Sequence, residues 1–166
     1  SSINTANPTF LADLSALINP HSSQFYSNYT LTMINLFEVR DTFAVVGANT
    51  FKRLINCVYS GEARVYNDPF DYVAYDFSRE HTYPHSWMPS FDASDPEKPE
   101  YNDQHNLYPA RQSNVNGTRS NYPLGKVVTV EQSFLDGKIG LDNVGHRVYE
   151  PRDAHKGRAA RAMMYM

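Results

Sequence analysis

The chain has 166 residues, 41% of them hydrophobic, 13% aromatic and 20% charged, which suffices for one domain with a real core and excludes global disorder. A formal net charge of -3 argues against a protein that grips nucleic acid by bulk positive charge, because phosphate contacts need Lys and Arg. One cysteine, Cys57, excludes an internal disulfide and a thiolate zinc cluster and leaves the compartment open.

No apolar run approaches the roughly 20 residues of a membrane helix, and the amino end lacks a basic start followed by an apolar stretch. We therefore expect no membrane partner, and either a cytosolic chain or one whose signal has been removed. The start at Ser1-Ser2 and the end at Tyr165-Met166 lead us to expect a processed or excised piece.

In chain order, residues 8–19 predict a short amphipathic helix with Leu11, Leu14, Leu17 and Ile18 on its buried stripe and Pro20 as its stop. A second helix is predicted from Thr30 to Asp41, burying Met33, Ile34, Phe37 and Val39. The period then changes, and Arg53–Tyr59, a turn at Ser60-Gly61-Glu62, and Ala63–Tyr66 predict a hairpin in which Cys57 packs within a strand. Tyr72–Phe77 reads as extended, and Pro84 and Pro89 prevent a long helix after it.

Residues 90–103 carry Asp92, Asp95, Glu97, Glu100 and Asp103 with two prolines and predict an exposed loop. Ala110–Ser120 predicts a helix unusually rich in asparagine, Val127–Val130 a strand, and Gly137 and Gly140 turns. A closing helix is expected over about 151–166, with Pro151 in its first turn. From Gly145 onward five basic residues stand against two acidic ones, which suits a phosphate-facing surface or a solvated helix face.

Two stretches hold most of the chemistry. In Ser78-Arg79-Glu80-His81-Thr82-Tyr83-Pro84-His85-Ser86-Trp87 a carboxylate precedes an imidazole, so on extended backbone one can ligate a hard cation while the other, pointing the opposite way, accepts a proton. In Asp103–Pro109 and on to Asn121, Asn114, Asn116, Arg119 and Asn121 fall within eight positions. His81, His85 and His105 with Glu80 could be read as a zinc site, but Pro84 forbids the helix that a four-residue histidine spacing needs, and no HExxH order is present. Tyr83, His85 and Trp87 read as packing residues more than chemistry.

The blocks at 78–89, 103–109 and 115–125 resemble the three signature blocks of the endonuclease I family of His-Me finger, or ββα-metal, nucleases, and residues 151–166 resemble that family's closing helix. The resemblance implies an α+β fold, a single domain with a central ββα-metal unit flanked by helices. It implies a largely sequence-nonspecific, metal-dependent endonuclease acting on DNA and possibly RNA, secreted or periplasmic. It assigns His81 as general base and Glu80 and Asn116 as ligands of one Mg2+, or Ca2+ or Mn2+, per active site. Asn106 would be a supporting polar residue, and Arg119 would either neutralise phosphate or buttress the helix.

The match is imperfect. Gln104 replaces a usual leucine, and the loop between the first two blocks lacks the disulfide-bearing insert and arginine of some relatives, which leaves Arg79, Arg111 and Arg119 as candidates for that role. Asn114 competes with Asn116 as ligand, and Asn116-Gly117-Thr118 is a glycosylation sequon that ligation would forbid. A catalytically silent nucleic-acid-binding module on the same fold is the alternative, and a zinc metallohydrolase a more distant one.

Overall fold

The computed structural model describes residues 52–66, 71–88 and 100–166 without a break, and before them only 8–10, 12–13, 16, 27–28, 37 and 39–41. In the first expected helix, positions 10, 12, 13 and 16 are helical, and Asp13 N donates to the Thr9 carbonyl at 2.8 Å. Its apolar stripe and residues 30–36 of the second expected helix lie outside the described residues, as do residues 90–99 of the acidic loop.

The second helix is corrected at its end. Val39–Asp41 is a strand, β1, antiparallel to β2 (Lys52–Asn56), with Val39 opposite Leu54. A β-branched valine with a strand partner outweighs a local helical period. The expected hairpin forms between β2 and β3 (Ala63–Tyr66), with Arg53 opposite Tyr66, but its first strand stops at Asn56. Cys57, Val58 and Tyr59 leave the sheet and make a buried connection.

A buried connection survives only if its backbone is paired, and this one is. Cys57 N donates to the Glu62 carbonyl at 2.8 Å, Val58 N to the Pro109 carbonyl at 2.9 Å, and Asp136 N to the Ser60 carbonyl at 3.1 Å. Arg152 donates from N to the Tyr59 carbonyl at 2.9 Å and from Nε to the Val58 carbonyl at 3.1 Å. Gly61 closes the turn at φ +81°, where a side chain would be strained. These bonds tie the first sheet to the elements that follow and set Tyr59 beneath the site.

Residues 72–76 are a turn, not the expected extended run, because Asp71 Oδ1 accepts from Val73 N and Ala74 N at 3.0 Å each. The chain then enters β4 (Phe77–His81), which pairs antiparallel with β5 (Leu107–Arg111), Glu80 opposite Tyr108 and His81 opposite Leu107. β5 runs through Pro109 to Arg111, so the helix expected from Ala110 begins only at Gln112. It opens as π-helix over Gln112–Asn116 and tightens into α1 (Gly117–Arg119).

Asp76 fixes that start. Its carbonyl accepts from Gln112 N at 2.9 Å and its carboxylate from Ser113 N at 3.1 Å and Arg111 Nη2 at 2.7 Å. Burial opposes ionisation of Asp76, but the Ser113 and Arg111 hydrogen bonds outweigh it and hold the carboxyl below the usual range.

The last sheet, β6 (Thr129–Phe134), β7 (Gly137–Leu141) and β8 (Arg147–Glu150), is antiparallel throughout. Gly137 and Gly140 lie within β7 and not at turns. A Cβ on Gly137 would stand 2.6 Å from Tyr149 Oη, and one on Gly140 would collide with the Thr129 carbonyl, so close approach of neighbours requires both. The turn falls instead at Leu135-Asp136, with Leu135 at φ +48°. The closing helix α2 spans Asp153–Tyr165, leaving Pro151 ahead of it, and buries His155, Ala159 and Ala162.

The fold is thus mixed α+β in a single small domain, and the described residues form three small antiparallel sheets with α1 and α2. One core joins Ile55, Tyr59, Phe77, Val115, Ile139 and Ala162. Among the described residues no helix is long and apolar enough to cross a membrane.

Glu150 ties β8 to its neighbours, accepting from Lys156 Nζ at 2.6 Å and Val127 N at 2.9 Å, with Lys138 Nζ at 3.3 Å. Burial opposes ionisation, but these partners outweigh it and hold the carboxyl at about 2. Because the folded value is depressed, the stabilisation is present above the unfolded carboxyl range and is lost as pH falls from there through about 2. Denaturant titrations should show Glu150→Gln less stable by on the order of 2 kcal/mol at neutral pH, with the gap closing in acid. A gap independent of pH would refute the assignment.

Candidate active site

β4 carries the site on both of its faces. Alternation puts Ser78 and Glu80 on one side and Arg79 and His81 on the other. The helical segment after β5 crosses the Ser78–Glu80 side. Asn116 Nδ2 donates to Ser78 Oγ at 2.8 Å, and Arg119 Nη1 donates to Glu80 Oε1 at 2.7 Å. Asn116 and Arg119 therefore meet alternate positions of one strand face, whereas Asn114 is exposed.

Glu80 is almost wholly buried, and Tyr59 Oη donates to the same oxygen, Oε1, at 3.2 Å. Burial pushes its carboxyl up to about 7, although the charge of Arg119 and the Tyr59 and Arg119 hydrogen bonds pull it down. Burial, reinforced by the charge of Glu80, likewise raises the Tyr59 hydroxyl well above its ordinary value. The Arg119 side chain is 1% exposed and also donates to the His81 carbonyl at 3.1 Å and the Thr82 carbonyl at 2.7 Å. It holds strand and loop together from inside the protein.

On the other side of β4, His81 Nε2 lies 2.7 Å from the Tyr101 carbonyl oxygen. A carbonyl only accepts, so Nε2 carries the proton and the neutral ring keeps its lone pair on Nδ1. Burial pushes this imidazole down to about 4, against the pull of the Tyr101 carbonyl. Its ring packs 4.6 Å from that of Tyr101 and 5.9 Å from that of His85, centroid to centroid.

Asn106 is fully buried and clamps the next loop, accepting from Tyr83 N at 2.6 Å and donating to the Tyr83 carbonyl at 3.0 Å. Arg111 is engaged with Asp76 and Glu62. His105 is mostly exposed, pairs with Asp103 and stacks on Tyr165. Among the described residues no three His, Cys, Asp or Glu side chains converge on one point, so His81, His85 and His105 do not assemble a zinc cage. Sequence reasoning missed Tyr59, Ser78 and Tyr101. Ser78 alone had a signal, since it stands two strand positions before Glu80.

The donor set suits a hard divalent cation, which takes oxygen ligands. Tyr59 and Arg119 both donate to Oε1 of Glu80, leaving Oε2; Asn116 spends Nδ2 on Ser78, leaving the amide oxygen. Glu80 and Asn116 could therefore hold such an ion.

A glutamate and a histidine side by side on a strand, with a following helical segment laid over the glutamate's face, mark the candidate site of a small α+β protein. The family model described as Endonuclease I matches residues 9–166, and the chain belongs to the endonuclease I family. That is a family of nucleases, and nucleic acid is the substrate class it implies. Comparison with curated proteins and with solved structures gave no match.

Proposed function

We propose that the protein is a divalent-metal-dependent, largely sequence-nonspecific endonuclease of DNA and possibly RNA, with His81 as general base and one Mg2+, or Ca2+ or Mn2+, held by Glu80 and Asn116. A secreted or periplasmic location belongs to the same proposal. The observation that carries it is the tautomer of His81: Nε2–H is held by the Tyr101 carbonyl, so Nδ1 is the proton-accepting atom. Burial keeps the imidazole in its neutral form, with the Nδ1 lone pair available, throughout the neutral range.

The other residues position. The Tyr101 carbonyl orients the ring and stabilises the charge that it acquires. Arg119 and Tyr59 fix Glu80, and Asn116 is steadied by Ser78. When bound, a divalent cation at Glu80 and Asn116 supplies charge stabilisation to a phosphate oxygen and the leaving oxygen. Asn106 keeps the loop after His81 in register through Tyr83.

The test is incubation of supercoiled plasmid with magnesium and with chelator. Nicking and degradation are expected with magnesium and an intact plasmid with chelator, while Asn116→Ala loses the magnesium-dependent cutting and Asn114→Ala keeps most of it. Equal cutting in chelator would remove the metal role. Loss in Asn114→Ala alone would move the ligand there.

A further inference from the structure

Beside His81 the chain makes a single 3-10 turn, His85–Trp87, that is braced from several directions. Trp87 N donates to the Pro84 carbonyl at 2.9 Å and Met88 N to the His85 carbonyl at 3.1 Å. Tyr83 Oη donates to the Trp87 carbonyl at 2.9 Å, and the two rings meet edge-on at 5.8 Å. Tyr83 is itself clamped by Asn106, and Asn121 Nδ2 reaches Ser86 Oγ at 3.4 Å. Pro84 and Met88 are buried beneath.

On this rigid mount Trp87 stays 38% exposed. A tryptophan placed only for packing would turn its large apolar surface inward, as the neighbouring Met88 does at 4% exposure. His85, two residues away in the same turn, packs its ring against that of His81. An exposed indole on a fixed backbone thus lies two residues from a ring that packs against His81.

Charge narrows what could meet it. With a net charge of -3 the chain gains little from bulk attraction to a polyanion, so contacts other than counterion release add usefully to affinity. Base–aromatic stacking is such a contact, is worth about 1–3 kcal/mol per base, and tolerates any sequence because every base has a π face. A base inside a duplex already has both faces covered by its neighbours, whereas an unpaired base has a face to give.

We propose that Trp87 is a stacking platform for an unpaired nucleobase adjoining the phosphate at His81, and that it makes single-stranded or locally unwound nucleic acid the preferred substrate over intact duplex. This rests on the nuclease reading and adds the strandedness of the substrate to it. Trp87 acts by positioning and takes no part in proton transfer.

Trp87 is the sole tryptophan beside twelve tyrosines, so its emission, excited at the red edge where tyrosine does not absorb, reports on this one site. The experiment uses the His81→Ala protein with magnesium and a fluorescein-labelled oligothymidylate, or a blunt hairpin duplex of equal length. Label anisotropy reads binding and tryptophan emission reads stacking. The single strand should quench Trp87 with the same midpoint as the anisotropy change, and the duplex should bind more weakly without quenching. Trp87→Ala in the same background should weaken single-strand binding about 5- to 150-fold, leave duplex binding nearly unchanged, and be largely rescued in Trp87→Phe.

Binding of the single strand with unchanged tryptophan emission overturns the proposal and spares the nuclease reading. So does an equal loss for both substrates in Trp87→Ala. Failure of both substrates to bind overturns the nuclease reading itself. If Trp87→Ala fails to fold, quenching in the Trp87-containing protein and the strand preference of Trp87→Phe decide.

Discussion

Replacing His81 by alanine is expected to lower turnover on plasmid by at least about 100-fold, the size of effect expected for losing a general base, while leaving divalent-cation binding in place. The second half follows from the strand. Glu80 and His81 face opposite sides of β4, and the groups that hold Glu80, Tyr59 Oη and Arg119 Nη1, do not touch the imidazole. His81→Gln is the sharper variant, because glutamine keeps an N–H that can reach the Tyr101 carbonyl but cannot accept a proton at neutral pH. Both variants should lose activity alike if His81 is the base, whereas a role confined to bracing Tyr101 predicts that glutamine retains most of it. Single-turnover cleavage at saturating magnesium, with metal affinity measured separately by calorimetry, distinguishes the two.

The candidate residues were legible in the sequence because the blocks that hold them resemble those of a nuclease family. Glu80-His81, Asn106 and the run Asn116 to Arg119 could be named without any knowledge of packing. Their partners could not. The atom that fixes the His81 tautomer is the backbone carbonyl of Tyr101, which leaves no mark on side-chain identity. Tyr59, which reaches Glu80, sits in a connection whose burial depends on bonds to Pro109 and Arg152, far away along the chain. Local pattern therefore extended the β2 strand through residues that leave it.

Glycine misled for a related reason. It marks a turn where φ is positive and marks a close approach where it is not, and only the neighbours of Gly137 and Gly140 decide for the second. At Leu135 the signal was inverted, since a bulky residue occupies the left-handed position that a turn reading reserves for glycine or asparagine. The helix after β5 was placed two residues early because proline usually ends a strand. Here Pro109 stays inside β5 and turns its carbonyl to Val58 N.

The second large effect concerns stability. Arg119→Met should destabilise the protein by about 3–5 kcal/mol, because removing one member of a buried ion pair strands the other. The side chains are 1% and 7% exposed, so water cannot replace what Glu80 loses. The same change frees the His81 and Thr82 carbonyls, which now accept from Nη1 and Nη2. Removal of both charges should cost less than the sum of the single changes, because glutamine at position 80 leaves no buried carboxylate to compensate. Chemical denaturation of Arg119→Met, Glu80→Gln and the double variant measures this coupling. A coupling near zero would mean that Arg119 stabilises the loop through the two carbonyls alone and that Glu80 is held by Tyr59 and its surroundings. A coupling of about 1–3 kcal/mol would make the guanidinium the group that lets a carboxylate stand this deep in the core.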